Sequence, residues 1–208
     1  MATQREQFVS ALENYAPDFG VEIRDDESDW LADYYELLLK WNERLHLVAP
    51  CSPDEFAVRH VLESLMVLKH LPVNPMIVDV GSGGGLPIVP CLLGHEGLRA
   101  ILIESSKRKA VFLREALRGV SGNRAQVLAT RFEDIKAPES NVLTCRALDR
   151  FSESLPALLR WARPGTTLLL FAGDELRQQT ESMLQSAKIA RIPHSQRRFL
   201  IIANKPKG

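Results

Sequence analysis

Apolar side chains recur every three or four positions through the first seventy residues, the spacing of amphipathic helices. Phe8, Ala11, Leu12 and Tyr15 form one stripe. Thr3-Gln-Arg-Glu6 ahead of it predicts a capping box, in which Thr3 accepts from the third helical N–H and Glu6 reaches back. Pro17 and Gly20 close the segment. A second helix is expected from Ser28, with Leu31, Tyr34, Leu38 and Trp41 down one side. Ser52-Pro-Asp-Glu55 starts a third: Ser52 caps, Pro53 brings a preset φ to the first helical position, and Glu55 completes a box. That helix runs to about residue 70, where Leu71-Pro72 stops it.

The pattern changes at residue 76. Short apolar runs at 76–80, 100–103, 125–128, 142–145 and 167–171 alternate with helix-like stretches near 87–94, 106–119, 151–162 and 174–187. Strands apolar on both faces, separated by helices, predict a parallel sheet covered on both sides. Runs at 190–193 and 199–203, joined by a short polar link, predict a terminal antiparallel hairpin. The expected fold class is α/β: a doubly wound sheet over residues 73–208, behind a helical N-terminal extension over residues 1–72.

Composition narrows the function. The 208 residues carry 26 Lys+Arg and 26 Asp+Glu, so the net charge is zero. Residues 1–40 nevertheless hold ten acids and three bases, net −7, which leaves +7 on the remainder. An acidic head on a basic body is compatible with a nucleic-acid partner, whereas the total alone argues against one. No apolar stretch approaches the ~18–20 residues of a membrane helix, and the start has no apolar export segment. Cys51, Cys91 and Cys145 form no CxxC pair, so neither a disulfide framework nor a metal site is expected. The expected location is the cytoplasm and the expected state a monomer.

The most informative stretch is Met76-Ile-Val-Asp79-Val-Gly81-Ser-Gly83-Gly84-Gly85-Leu86. An apolar strand enters a glycine cluster and then a helix, with Pro87 suited to the first turn. Glycines there let backbone approach a ligand closely and expose N–H groups to it. Glu104 ends the next strand, where a carboxylate accepts from ribose hydroxyls. The dinucleotide pattern G-x-G-x-x-G fails because Leu86 stands at its third glycine, and no G-K-[ST] follows. An acid in the strand followed by G-x-G-x-G is similar to the S-adenosylmethionine site of class I methyltransferases.

One family is resembled closely. Trp41-Asn42 ahead of Leu47-x-Ala49, then Ser52-Pro-Asp-Glu55, Arg59-His60 and Glu63-Ser64-Leu65 occur in its order. They are followed by Asp79-x-Gly81-Ser82-Gly83-x-Gly85-Leu86-Pro87-x-x-Pro90, Arg108-Lys109-x-x-Phe112-Leu113 and Arg146-Ala147. The chain thereby resembles the RsmG/GidB family from about residue 34 onward. The resemblance implies a Rossmann-like class I methyltransferase fold, S-adenosylmethionine as cofactor, and transfer to N7 of a guanine in 16S ribosomal RNA. The implied partner is that RNA or the small ribosomal subunit. By resemblance, Asp79, Gly81, Gly83, Gly85 and Leu86 make the donor loop, Glu104 takes the ribose role usually held by Asp, and Phe132-Glu133 flank the adenine.

Arg146, at the end of the fourth strand, is expected to be catalytic. It has two candidate roles, clamping the donor's carboxylate or offering donors to guanine O6 or a phosphate, against a surface ion pair with Asp149 or Glu153. Arg59, His60, Arg108, Lys109, Arg197 and Arg198 are the expected substrate contacts; for His60 a helix–domain contact competes with that role. Cys145 reads as a core residue. Trp30, Trp41, Tyr34 and Tyr35 are expected to pack between extension and main domain. The chain departs from the family at His46 and Val48, which replace Asn and Thr, and at Ala172, which replaces a Lys. These keep a different acceptor open: another RNA base, a protein or a small molecule. A guanine N7 carries a free lone pair and loses no proton, so the reaction needs a near-attack geometry of roughly 3–3.5 Å more than a general base.

Overall fold

The structure is a computed structural model that describes residues 2–120, 122–146, 151–184 and 186–206. Thr3 and Glu6 form the expected reciprocal box, with N···O distances of 3.2 and 2.7 Å, and open helix α1 at Gln4–Tyr15. Helix α2 spans Asp25–Leu45, three residues longer at its start than the sequence predicts. The Arg24 N–H donates to the Glu27 carboxylate at 3.0 Å, and Asp25, Asp26 and Glu27 all lie in the first turn. Acids there complement the positive end of the helix dipole, so they start the helix and Ser28 falls inside it.

Residues 53–70 form helix α3, which is not uniform. Pro53–Phe56 is α-helical, Ala57–Leu62 widens to a π turn, Glu63–Leu65 returns to α and Met66–His70 tightens to a 3-10 end. Ser52 caps it, accepting from the Glu55 N–H at 3.1 Å. Glu55 does not complete a box, because its carboxylate pairs with Arg59 one turn on.

Seven strands form one sheet: β1 Met76–Val80, β2 Arg99–Ile103, β3 Ala125–Leu128, β4 Val142–Cys145, β5 Thr167–Ala172, β6 Lys188–Arg191 and β7 Phe199–Asn204. Their order is β3-β2-β1-β4-β5-β7-β6. The first five are parallel, and β7 runs antiparallel to both β5 and β6. The connecting helices are α4 Ile88–Leu93, α5 Lys107–Ala116, α6 Phe151–Trp161 and α7 Asp174–Met183. Strand β6 starts two residues earlier than expected. It is an edge strand of partly exposed residues, so its alternation is weak in the sequence.

Alternate strand residues feed two cores. Ile77, Leu102, Val142, Leu169 and Phe171 face a core shared with α1, α2 and α3, so residues on both sides of position 72 pack together. Val78, Ile103, Leu143, Cys145 and Leu170 face the opposite core with α6 and α7. Within the helical layer Phe8 stacks on Tyr35 at 4.6 Å. Trp41 meets Phe112 of α5 at 5.9 Å, whereas Trp30 is exposed. Asp29, Asp33 and Glu36, on the outer side of α2, are gathered by Arg5. No described helix is long and apolar enough to cross a membrane.

Candidate functional site

The strand order reverses between β1 and β4, the switch point where this class of sheet binds ligands beyond its carboxyl ends. Two groups of residues gather there.

The first is a cavity of about 350 Å³ beside the glycine loop, within the size of small-molecule sites. Gly81, Gly83, Glu104, Lys109, Phe132 and Glu133 line it, so six of the expected residues share one wall system. Thr130, Arg131, Ser105 and Ser154 also line it and were not anticipated. Glu104 holds the loop rather than hanging free. Its Oε2 accepts from the Gly83 N–H at 2.8 Å and its Oε1 from the Ser106 N–H at 2.7 Å.

The loop amides are largely consumed inside the protein. Gly81 and Ser82 both donate to the Ile103 carbonyl, at 2.9 and 3.1 Å, and Gly85 donates to the Ser82 carbonyl at 2.6 Å. The expectation of N–H groups turned to the ligand therefore fails for Gly81, Gly83 and Gly85. What the loop offers is close approach. A Cβ on Gly83 would meet nothing nearer than the Gly81 carbonyl at 3.8 Å. With those amides occupied, the loop lacks the donor cradle that a pyrophosphate requires, consistent with the failed dinucleotide pattern. Gly85 has a packing role: φ is +85°, and a Cβ there would lie 2.5 Å from Val89 Cγ2. Leu86 is buried in the helical-layer core and is not on the cavity wall.

Asp79 lies beneath the loop, fully buried. Thr144 on the neighbouring strand donates to its Oδ1 at 2.7 Å, while its Oδ2 is buried without a partner. Burial pushes the Asp79 carboxyl up to about 7; the hydrogen bonds from Ser82 and Thr144 oppose this and the Glu104 charge adds to it. The loop is also held from the helical layer. Tyr34 of α2 donates to the Gly84 carbonyl at 2.6 Å, and burial raises its phenol. Leu38 and Leu47 flank the same glycine.

The second group surrounds Glu63. Continuing the β4 alternation, Arg146 falls on the side of Val142 and Thr144 and meets α3. Its Nη2 donates to Glu63 Oε2 at 3.0 Å and to the Arg59 carbonyl, and its Nη1 to Ser64 Oγ at 3.2 Å and the His60 carbonyl at 3.3 Å. The guanidinium lies 5.1 Å above the Phe171 ring. The π turn of α3 presents those two carbonyls together, a common use of such turns. Arg198 precedes β7 with the parity of Leu200, which places it on the same face, 2.7 Å from Glu63 Oε1. Arg197 has the opposite parity and is exposed. Side-chain exposure rises from 1% at Glu63 to 14% at Arg146, 28% at Arg198 and 48% at Arg59.

Arg146 is thus a largely covered residue, ion-paired with Glu63 of α3. Of the two alternative partners, Asp149 and Glu153, Asp149 lies outside the described residues, as do Ala147 and Arg150. Burial, with Arg146, Arg59 and Arg198 nearby, holds His60 down to about 3, so it is neutral at ordinary pH. It packs on Phe56 at 5.0 Å, as a helix–domain contact does. Glu63 is raised because burial outweighs its three arginines. Lys107 and Arg108 are exposed at the start of α5, and only Lys109 reaches the cavity. Among the described residues no cluster of His, Cys, Asp and Glu could hold a metal ion.

The structure shows how His46 and Val48 are held. His46 closes α2 in the left-handed region, at φ 48°, a C-terminal position suited to Gly or Asn. Val48 is held through its backbone, donating to and accepting from the Asn42 amide at 3.0 Å each. Neither side chain is required at the cavity.

The chain is similar to known proteins over most of its length. The family model described as GidB, rRNA small subunit methyltransferase G, matches residues 27–202. The ribosomal RNA small subunit methyltransferase G of Xanthomonas campestris pv. campestris (strain B100) is 33% identical over 168 residues, 79% of each chain. That of Rhodospirillum centenum is 41% identical over 160 residues, 74% of this chain and 73% of its own. Two solved structures share the fold. A precorrin-6y C5,15-methyltransferase from Geobacter metallireducens has a TM-score of 0.51 at 15% identity, covering 69% of this chain and 87% of its own. An MtNAS variant in complex with S-adenosylmethionine has a TM-score of 0.56 at 16% identity, covering 87% and 77%. By the extent of the sequence match and the residues it gathers at the switch point, the chain belongs to the rRNA small subunit methyltransferase G (GidB) family.

Proposed function

We propose that this protein transfers a methyl group from S-adenosylmethionine to N7 of a guanine in 16S ribosomal RNA, in the cytoplasm. Family membership over residues 27–202 carries the methyltransferase and small-subunit assignment. The cavity fits the donor: Gly83 leaves room for close approach, the glycine loop is pinned at both ends, and apolar Phe132 stands beside polar Glu133 and Glu104. Glu104 still has lone pairs beyond the two it gives to backbone amides, and these suit ribose hydroxyls. Phe132 and Glu133 suit the adenine. The bound donor supplies an electrophilic methyl on a sulfonium.

The chain's own task is to orient and to exclude water. Tyr34, Glu104 and the Asp79–Thr144 pair fix the loop, while Arg146 is anchored at the end of β4 beside it. No described side chain is needed to remove a proton, which matches an acceptor nitrogen with a free lone pair. Arg59, Arg197 and Arg198 reach the surface and suit phosphates. Arg108 and Lys109 lie on the α5 side and suit a second stretch of backbone.

Calorimetry with S-adenosylhomocysteine tests the donor half; no heat at millimolar ligand with folded protein defeats it. Methyl transfer to purified small subunits, followed by mass spectrometry of the 16S RNA, tests the acceptor half. Label appearing in any nucleoside except 7-methylguanosine defeats that.

A further inference from the structure

Glu63 is a buried carboxylate shared by two cations. It sits on the apolar side of α3 among Val61, Leu62 and Leu65, where a carboxylate is costly unless it is fully partnered. Arg146 comes to it from the end of β4 and Arg198 from the start of β7, 3.0 and 2.7 Å away. Three elements distant in sequence are thereby tied at the carboxyl edge of the sheet.

The charges do not cancel. Among the described residues Arg59, Arg146 and Arg198 pair with Glu55 and Glu63, and His60 is neutral, so these groups together carry one positive charge. The two guanidiniums differ in what they have left to offer. Both Nη atoms of Arg146 are engaged on protein acceptors. Arg198 donates its Nε to Ser195 Oγ at 3.1 Å and sets one Nη 2.7 Å from Glu63 Oε1 as an ion pair without hydrogen-bond alignment, and its partly exposed head retains donors toward solvent.

We propose that Glu63 is a positioning residue for methyl transfer, fixing Arg146 as the wall at the end of β4 and aiming Arg198 at a phosphate of the bound RNA. This rests on the functional reading above. Among the described residues Glu63 is the charged group that the two arginines share: Arg146 also donates to the Ser64 hydroxyl and to the Arg59 and His60 carbonyls, whereas Arg198 meets the helical layer at this carboxylate. A displacement of about 1 Å at such a site costs on the order of 100-fold in rate.

The sign of the effect separates positioning from mere proximity. Glu63→Gln removes a negative charge beside the path of a polyanion. A bystander carboxylate repels RNA, so its loss would lower KM for the small subunit and leave kcat within about 2-fold. Positioning predicts a kcat about 10-fold lower or worse at saturating subunit, with KM unchanged or lower and S-adenosylhomocysteine affinity within about 3-fold. Glu63→Asp keeps the charge and should recover most of the loss. If Glu63→Gln does not fold, Arg198→Met carries the test on a half-buried side chain, with kcat expected to fall about 3-fold or more.

A kcat within about 2-fold of wild type in the folded variant overturns the proposal, as does a loss confined to KM. Failure of the wild-type protein to methylate small subunits overturns the functional assignment and this inference with it. Transfer by wild type with an unaltered variant overturns the inference alone.

Discussion

The glycine-loop cavity and the arginine cluster lie at the same edge of the sheet and are built in opposite ways. The cavity is made of backbone and short-range contacts, with Glu104 joined to Gly83 and Ser106 through hydrogen bonds spanning 21 and 2 residues. The cluster is made of side chains 82 to 87 residues apart along the chain, with no local rule to bring them together. Geometry at the first site survives most side-chain changes outside its glycines. Geometry at the second depends on Glu63 keeping its two arginines.

The largest expected effect lies in the cluster. Arg146→Met leaves Glu63 buried with Arg198 alone, and loss of one member of a buried pair costs roughly 3–5 kcal/mol. Urea unfolding measures it; a cost under about 1 kcal/mol would show the pair to be dispensable. The glycines come next and separate stability from binding. Gly85→Ala forces a Cβ to 2.5 Å from Val89 at φ +85° and should cost about 2 kcal/mol. Gly83→Ala, at φ +49° with open space around it, should cost about 1 kcal/mol yet weaken S-adenosylhomocysteine about 10-fold. Equal effects of the two on affinity would refute the distinction.

Tyr34→Phe strands the buried Gly84 carbonyl, at about 1–2 kcal/mol, and should loosen the donor a few-fold in calorimetry. Unchanged affinity would mean that the helical layer does not set the loop. The smallest effect belongs to the surface: Arg197→Ala should leave stability within about 0.5 kcal/mol and reduce the slope of log affinity against log salt by about one. A slope that does not move removes Arg197 from the RNA contact.

Acid–base behaviour also divides the two regions, with opposite signs. Asp79 titrates near 7 in the folded protein, above its ordinary 3.8, so its contribution to stability is fully present below that ordinary value and is lost as pH rises through 7. His60 titrates near 3, below its ordinary 6.5, so its contribution is present above the ordinary value and is lost as pH falls toward 3. Between about pH 4 and 6.5 the two slopes oppose each other. Asp79→Asn should therefore raise stability relative to wild type toward neutral pH. His60→Gln should raise it relative to wild type on acidification. Parallel pH profiles for wild type and either variant would contradict the corresponding assignment.

Much of the first region was legible in the sequence. The strand at 76–80, the glycine spacing, Glu104 at the next strand end and Phe132-Glu133 beyond the third identified the cavity, because period-2 runs and turn glycines are local signals. The use of the loop amides was not legible, since it depends on the Ile103 carbonyl and the Glu104 side chain arriving from β2. The arginine cluster was legible only as scattered residues. Arg59, His60, Arg146 and Arg198 were expected as separate contacts, and Glu63 only as part of a motif. One signal was available: a glutamate on the apolar stripe of α3 demands a buried cation.

What the sequence determined by itself was periodicity, punctuation and membership: which segments are helix or strand, where the glycine turn falls, and the family to which the chain belongs. The tertiary structure decided charge pairing and side-chain commitment. Parity sends Arg146 and Arg198 to the face covered by α3 and Arg197 away from it. The π turn presents the carbonyls that Arg146 caps, and α2 delivers Tyr34 to the loop. The physical reason is range: backbone propensity acts over a few residues, whereas desolvated charges and buried polar groups find their partners only once distant elements have packed.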